Sequence, residues 1–375
     1  MGLFKKPERR SVALIDIGSA SVGGAFAHFE PLTSPTIYYT TRIPIEVREG
    51  ETCTEGMLRA LEVLGTTLVS HGAPVLHEVT GSGKIDEVVV SVSAPWQETR
   101  VRVGSRNEER PFAFTHQVLE DIVKEGEAKH EGRTRSHDSV IATILNGYDI
   151  QEPFGKRVKR ADLVILSSSL EEKVAHAIEK AVRKAFHAHE VSLTAFAPLC
   201  YAVIRDMFSH EKDYLILDVE GEATDLAFVK RGLLADVASV PQGTNALLAA
   251  ISRGHTTITE GSTGVIDIGR NNRFAELVGK MEEAWLSAIT DVLKDFSTRH
   301  ALPRTVFLLA DDDTRGFLER LVDSQKVHSL WLSDEPLAVV SLSPKHLAQY
   351  VQTRGSARGD VFLMMMALYT NKRLP

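Results

Sequence analysis

Two stretches decide the fold: DIGSASVGGAF, from Asp16 to Phe26, and DVEGEATDLAF, from Asp218 to Phe228. Laid over one another they match without a gap, as an acid, an aliphatic residue, a turn of small residues, then Ala and Phe. Each stretch completes a short apolar run, Ser11 to Asp16 (SVALID) in the first copy and Tyr214 to Val219 (YLILDV) in the second. Such a pattern reads as strand, tight turn, strand, present twice in one chain. Small residues in the turn let backbone N–H groups approach phosphate oxygens, and an acid at the strand end can hold magnesium through its waters. Two such hairpins facing across a cleft clamp a nucleotide triphosphate from both sides. The pattern also suits two ordinary hairpins that turn on glycine.

The rest of the chain frames that reading. Its 375 residues suffice for two or more domains. A hydrophobic content of 43% and a charged content of 25% are those of a globular protein. The net charge of −7 argues against general nucleic-acid binding, which needs a basic face. Cys53 and Cys200 make neither a metal spacing nor a disulfide framework, so a reducing cytoplasm is expected. The best apolar run, Val361 to Tyr369, is about half the ~20 residues a bilayer span requires. The opening MGLFKKPERR is expected to be a flexible terminus over residues 1–10; its alternative reading is peripheral contact with an anionic membrane.

Strands and helices alternate along the chain, which implies an α/β protein. Met57 to Val69 has a helical period, Ile85 to Val92 is a buried strand, and Pro95 closes it. Val118 to Glu127 reads as a helix, and Arg133 to Asp149 as a strand turning at Asn146-Gly147. Ala161 to Leu166 is a strand and Leu170 to Phe186 a helix, with the basic stretch FGKRVKR (Phe154 to Arg160) read as a solvated hairpin. Further on come a long amphipathic helix from Phe274 to Phe296, a strand from Thr305 to Leu309, a helix from Thr314 to Val322 and a buried helix from Asp360 to Tyr369. Asp311, Asp312 and Asp313 read as helix capping, with Asp312 or Asp313 at the N-cap. The GSGK at Gly81 to Lys84 lacks the earlier glycine and the Ser or Thr of a P-loop, so it reads as a turn.

With those pieces in place the sequence resembles the actin-like ATPase superfamily, and within it the FtsA and PilM proteins. The hairpin at Asp16 is similar to that superfamily's first phosphate loop, and Asp218 to Asp225 to its second. SVPQGTNA, from Ser239 to Ala246, resembles the FtsA and PilM turn that opens a helix. The stretch from Glu152 to Leu166, with Val191 to Ala202 (VSLTAFAPLCYA), resembles their inserted subdomain and its return to the first lobe. The resemblance implies a two-lobed actin-like (ribonuclease H-like) fold. Residues 11–92 and 169–210 would form the first lobe, 93–168 the inserted subdomain and 211–375 the second lobe. It implies that ATP is contacted by Asp16, Gly18, Ser19, Ser21, Asp218, Gly221, Thr224, Asp225, Gly243, Thr244 and Asn245, with magnesium on Asp16 and Asp218.

Three departures weaken that nucleotide site. Glu220 and Glu222 stand where the family has glycines. One carboxylate at ~4 Å from a phosphate charge costs roughly 4 kcal/mol at an effective dielectric near 20. Ala197 precedes Pro198 where many relatives carry a Glu or Gln that orients the attacking water, and no Gly-Gly follows Leu309. ATP and magnesium binding are therefore expected to be weak or lost. The chain ends at Pro375 just after its last apparent core helix, which favours the PilM-like reading over FtsA. That reading implies a cytoplasmic scaffold, peripheral to the inner face of the plasma membrane, that holds the cytoplasmic tail of a PilN-like membrane protein in pilus assembly or cell division. Self-association is a further expectation. The alternative is an active Mg-ATP-binding ATPase that polymerises or switches at the membrane.

Overall fold

The computed structural model describes residues 9–125, 132–245, 272–331 and 337–373. Residues 1–8 of the expected flexible terminus and most of the stretch from Ala246 to Arg273 lie outside them, while Arg10, placed in that terminus by the sequence reading, opens a strand.

The apolar run before each quoted turn forms a central strand. β1 (Arg10–Ile17) pairs antiparallel with β2 (Ser21–Phe29), and β10 (Tyr214–Val219) pairs antiparallel with β11 (Thr224–Lys230). Each is extended into a larger sheet by parallel neighbours, β4 (Glu87–Val92) beside β1 and β13 (Thr305–Leu309) beside β10. With β3 (Thr36–Pro44), β9 (Val191–Ala195), and β15 (Gln352–Thr353) the first sheet has the order β15-β3-β2-β1-β4-β9. With β12 (Leu233–Val240) and β14 (Ala338–Ser341) the second has the order β12-β11-β10-β13-β14. Both central strands are buried along almost their whole length, as expected for strands covered on two faces.

Helices cover the outer faces. α1 (Cys53–Thr67) and α4 (Glu172–Phe186) pack on the first sheet through Met57, Leu61, Leu64, Val174 and Ile178. Thr52 and Glu55 start α1 with a reciprocal capping box. The second sheet is covered by α6 (Asn272–Arg299) and α7 (Asp312–Val322), with Val278, Trp285, Ile289 and Phe296 of the anticipated stripe buried. Phe274 and Leu277 of that stripe lie outside the described side chains.

Between the sheets lie α5 (Phe196–Met207) and α8 (Val361–Arg373), sharing one core with Leu14, Ile216 and Phe307. α8 is buried continuously from Val361 to Leu368, because a helix apolar all round must be enclosed on every side. The chain's last described segment therefore does not remain with the second sheet, where the sequence put it. Gln352 and Thr353 pair with Thr36 and Ile37 of β3, and α8 serves both sheets.

The third sheet belongs to the insertion. Its order is β5 (Gln97–Ala113), β8 (Arg157–Glu171), β6 (Arg133–Leu145) and β7 (Tyr148–Asp149). One face packs on α3 (His116–Glu125) through Ile122, Leu163 and Ile165. The turn at Asn146-Gly147 is present, with both residues at positive φ. β8 extends well beyond the expected Ala161 to Leu166 on both sides. The sequence did not disclose β5 at all. Its QETRVRVGSRNEERPFA is polar along most of its length, because much of the strand faces solvent.

Candidate functional site: the meeting of the two hairpins

The two turns have the same backbone. Gly18 N–H donates to the Ser21 carbonyl at 3.1 Å, and Glu220 N–H to the Ala223 carbonyl at 2.9 Å. In each copy the next segment docks on the turn. Ile45 N–H reaches the Ala20 carbonyl, while Thr244 and Asn245 N–H reach the carbonyls of Glu220 and Gly221.

The turns also bond directly to each other. Ser19 N–H donates to Glu220 Oε2 at 2.9 Å, Glu222 N–H donates to Ser19 Oγ at 2.9 Å, and Asn245 Nδ2 donates to the Ser19 carbonyl at 3.2 Å. The glycines make this approach feasible. A Cβ on Gly18 would sit 2.3 Å from Glu220 Oε2, one on Gly221 2.7 Å from the Ala20 nitrogen, and one on Gly243 2.3 Å from the Glu220 carbonyl. Their smallness serves contact between the hairpins. Thr224 is held in place by donating to the Gln242 carbonyl and accepting from Trp285 Nε1.

Asp16 is enclosed by its own lobe. Ser91 Oγ donates to one carboxylate oxygen and Arg42 Nη2 to the other, each at 2.9 Å. Arg42 also binds Asp360 through Nε at 2.8 Å, donates from Nη1 to Ser21 Oγ at 2.9 Å and lies over the Phe362 ring. Ser21 Oγ donates onward to Asp311 Oδ2 at 3.2 Å, crossing between the sheets. Gly23, the strand partner of Asp16, leaves the space for this guanidinium: a Cβ there would sit 2.6 Å from Arg42 Nη2. Burial disfavours the charge of Arg42, yet Asp360 and Asp16 hold it protonated well above its ordinary range. Burial likewise pushes Asp16 up, against the opposing pull of Arg42.

Among the described residues, the groups that act on Asp218 of the second hairpin are acids. Asp218 pairs across the strands with Asp225, and Glu220 lies beside them. Burial, then Glu220, Asp225 and Asp16, push Asp218 well above the carboxylate range, and its buried Oδ1 has no hydrogen-bond partner among the described residues. Burial, then Asp16 and Asp311, push Glu220 to about 8. Burial pushes Asp225 to about 6 against hydrogen bonds from Ser239 and from Gln97, at the root of the inserted sheet. Asp311 is pushed by burial to about 6 against the pull of Arg42. Asp311, and not Asp312 or Asp313, is the N-cap of α7, and its side chain makes no cap bond because it faces Ser21. A cavity of about 310 Å³ opens here, lined by Ser21, Arg42, Asp311, Asp312, Asp313 and Asp360 among others.

All eleven predicted residues therefore gather at one place, where the two hairpins and the turn before Asn245 meet. Each carboxylate oxygen of Asp16 already accepts a hydrogen bond, one from Ser91 and one from Arg42. Among the described residues no group of three or more His, Cys, Asp or Glu is placed to hold a metal ion. The Ser19 amide, which a phosphate would need, already serves a carboxylate. Arg42, Ser91, Gln97 and Asp360 were missed by the sequence reading. The one available signal was Gly23 opposite Asp16, a vacancy that something must fill.

No family model matches the sequence, and a search of curated proteins finds no match. Solved structures are similar to it. The PilM–PilN type IV pilus biogenesis complex is similar at 14% identity and a TM-score of 0.62, covering 99% of this chain and 100% of that chain. A protein with actin-like ATPase fold and unknown function from Bacteroides thetaiotaomicron is similar at 10% identity and a TM-score of 0.42, with 99% of each chain covered. The ethanolamine utilization protein EutJ from Carboxydothermus hydrogenoformans is similar at 13% identity and a TM-score of 0.42, covering 97% of this chain and 90% of that chain. The likeness at these identities is one of fold: the chain has the actin-like fold, with the insertion in its PilM-like form.

Proposed function

We propose that this protein is a scaffold whose inserted sheet holds the tail of a membrane protein, and that its nucleotide cleft no longer cycles ATP. The observation that carries the reading is the bond from Ser19 N–H to the Glu220 carboxylate, which commits the first turn's phosphate donor to the chain itself. A PilN-like tail is the partner the fold suggests, because the PilM–PilN complex has this architecture. No helix among the described residues is long and apolar enough to cross a membrane, so the scaffold would reach the inner face of the membrane through that partner.

The inserted sheet has a surface suited to the task. α3 covers the face that carries Gly104, Leu163 and Ile165, and strand alternation puts Val103 and Val164 on the other face. Val103 is 64% exposed and Val164 half-buried. A peptide laid there covers apolar surface that the fold leaves open.

Binding of synthetic cytoplasmic-tail peptides from membrane proteins encoded beside this one tests the proposal, with Val103→Asp as the control. Micromolar binding that Val103→Asp weakens at least about tenfold supports it, about 1.4 kcal/mol. Absence of binding by every such tail to the folded protein contradicts it. The second reading, an Mg-ATP switch, has an observation in its favour: the buried oxygen of Asp218 that finds no partner among the described residues.

A further inference from the structure

We propose that the cleft carries its own substitute for a bound metal–phosphate group, with the Glu220 carboxylate in the position of a phosphate oxygen and the Arg42 guanidinium in that of the cation, so that the chain latches its two lobes together. The acceptor half rests on three observations. Glu220 is 8% exposed, its Oε2 accepts the Ser19 amide, and Gly18 is compatible with that carboxylate only because it lacks a Cβ. A backbone N–H in a glycine turn is what a phosphate loop offers to an oxygen acceptor, and here the acceptor comes from the opposite hairpin.

The cation half is independent of it. Arg42 binds Asp16, Asp360 and Ser21 at once, so one positive charge organises two acids and a hydroxyl. Ser21 then donates to Asp311 at the end of the second sheet's β13. The lobes are thus tied twice through side-chain carboxylates, by Glu220 to Ser19 and by Asp311 to Ser21. Gln97 at the root of the inserted sheet donates to Asp225 of the second hairpin. Closure of the cleft and the setting of the insertion are consequently joined, and neither waits for a ligand.

Spin labels at Glu62→Cys on α1 and Ser287→Cys on α6, in a chain also carrying Cys53→Ser, read the distance between lobes. The expected result is one narrow distribution that millimolar Mg-ATP leaves unchanged. Glu220→Ala should broaden or lengthen it, while Glu220→Gln, which keeps an acceptor for Ser19 N–H, should preserve it. A folded Glu220→Ala protein with the original narrow distribution overturns the proposal, as does a wild-type distribution that narrows only with Mg-ATP. Should Glu220→Ala fail to fold, hydrogen exchange of the unmodified protein decides: the Ser19 turn should exchange at least about a hundredfold more slowly than an open turn. Exchange at the open-turn rate overturns the proposal. None of these readouts depends on whether a peptide binds the inserted sheet.

Discussion

The two hairpins share a backbone and differ in what they surround. Opposite Asp16 the first has Gly23; opposite Asp218 the second has Asp225. The glycine admits Arg42, which compensates Asp16, whereas the aspartate places a second acid beside Asp218. Gly18 and Glu220 occupy the same position of the repeat, and they touch each other. The comparison shows that the turn is held by its own hydrogen bonds and survives exchange of its chemistry. One copy has become the receptor for the other.

The comparison breaks most visibly at Arg42. Arg42→Ala leaves Asp16 and Asp360 without their shared cation and should cost about 3 to 5 kcal/mol in chemical denaturation. Adding Asp16→Asn should recover part of that loss; no recovery would mean that Arg42 acts through packing on Phe362 alone. Next comes Gly18→Ala, which should cost about 1 to 3 kcal/mol because its methyl meets Glu220 Oε2. Glu220→Ala removes that obstacle, so the double variant should be more stable than the sum of the singles by about 1 kcal/mol. Gly221→Ala meets the Ala20 backbone nitrogen instead, and Glu220→Ala should give it no relief.

The acid-rich side of the comparison predicts a pH dependence. Asp311 and Glu220 have values raised above those of the unfolded chain, so the folded state holds their protons more tightly. The associated stability is complete below the unfolded values and is lost as pH rises, first through about 6 with Asp311 and then through about 8 with Glu220. Glu220 faces Asp16 and Arg42 of the first lobe, and Asp218 and Asp311 of the second. Melting temperature should therefore fall from about pH 4 to about pH 8, and Glu220→Gln should flatten the part of that fall above pH 6. A profile unchanged by Glu220→Gln would place the titration elsewhere. The smallest effect is expected away from the hairpins: Val103→Thr should change stability by no more than about 0.5 kcal/mol in denaturant.

What the sequence disclosed was local and periodic. The twin hairpins, the buried strand ending at Val92, the helix ending at Phe186 and the apolar run from Val361 to Tyr369 in α8 all announce themselves within a dozen residues. What it concealed depends on distant partners. Nothing near Arg42 says that its guanidinium will lie between Asp16 and Asp360, the latter 318 positions away. Strand β5 is hidden because a strand half in solvent carries no apolar run, and β15 because two residues paired with β3 leave no pattern. Glu220 was legible as a departure from glycine. Its turning inward to meet Ser19 was not, since a rotamer is set by what faces it.

Titration calorimetry of the unmodified protein with Mg-ATP tests the central claim most directly, with Asp218→Asn alongside. A Ser19 amide already committed to Glu220, with Arg42 already between Asp16 and Asp360, predicts no binding heat up to millimolar nucleotide. Micromolar binding abolished by Asp218→Asn would contradict it and restore the nucleotide switch.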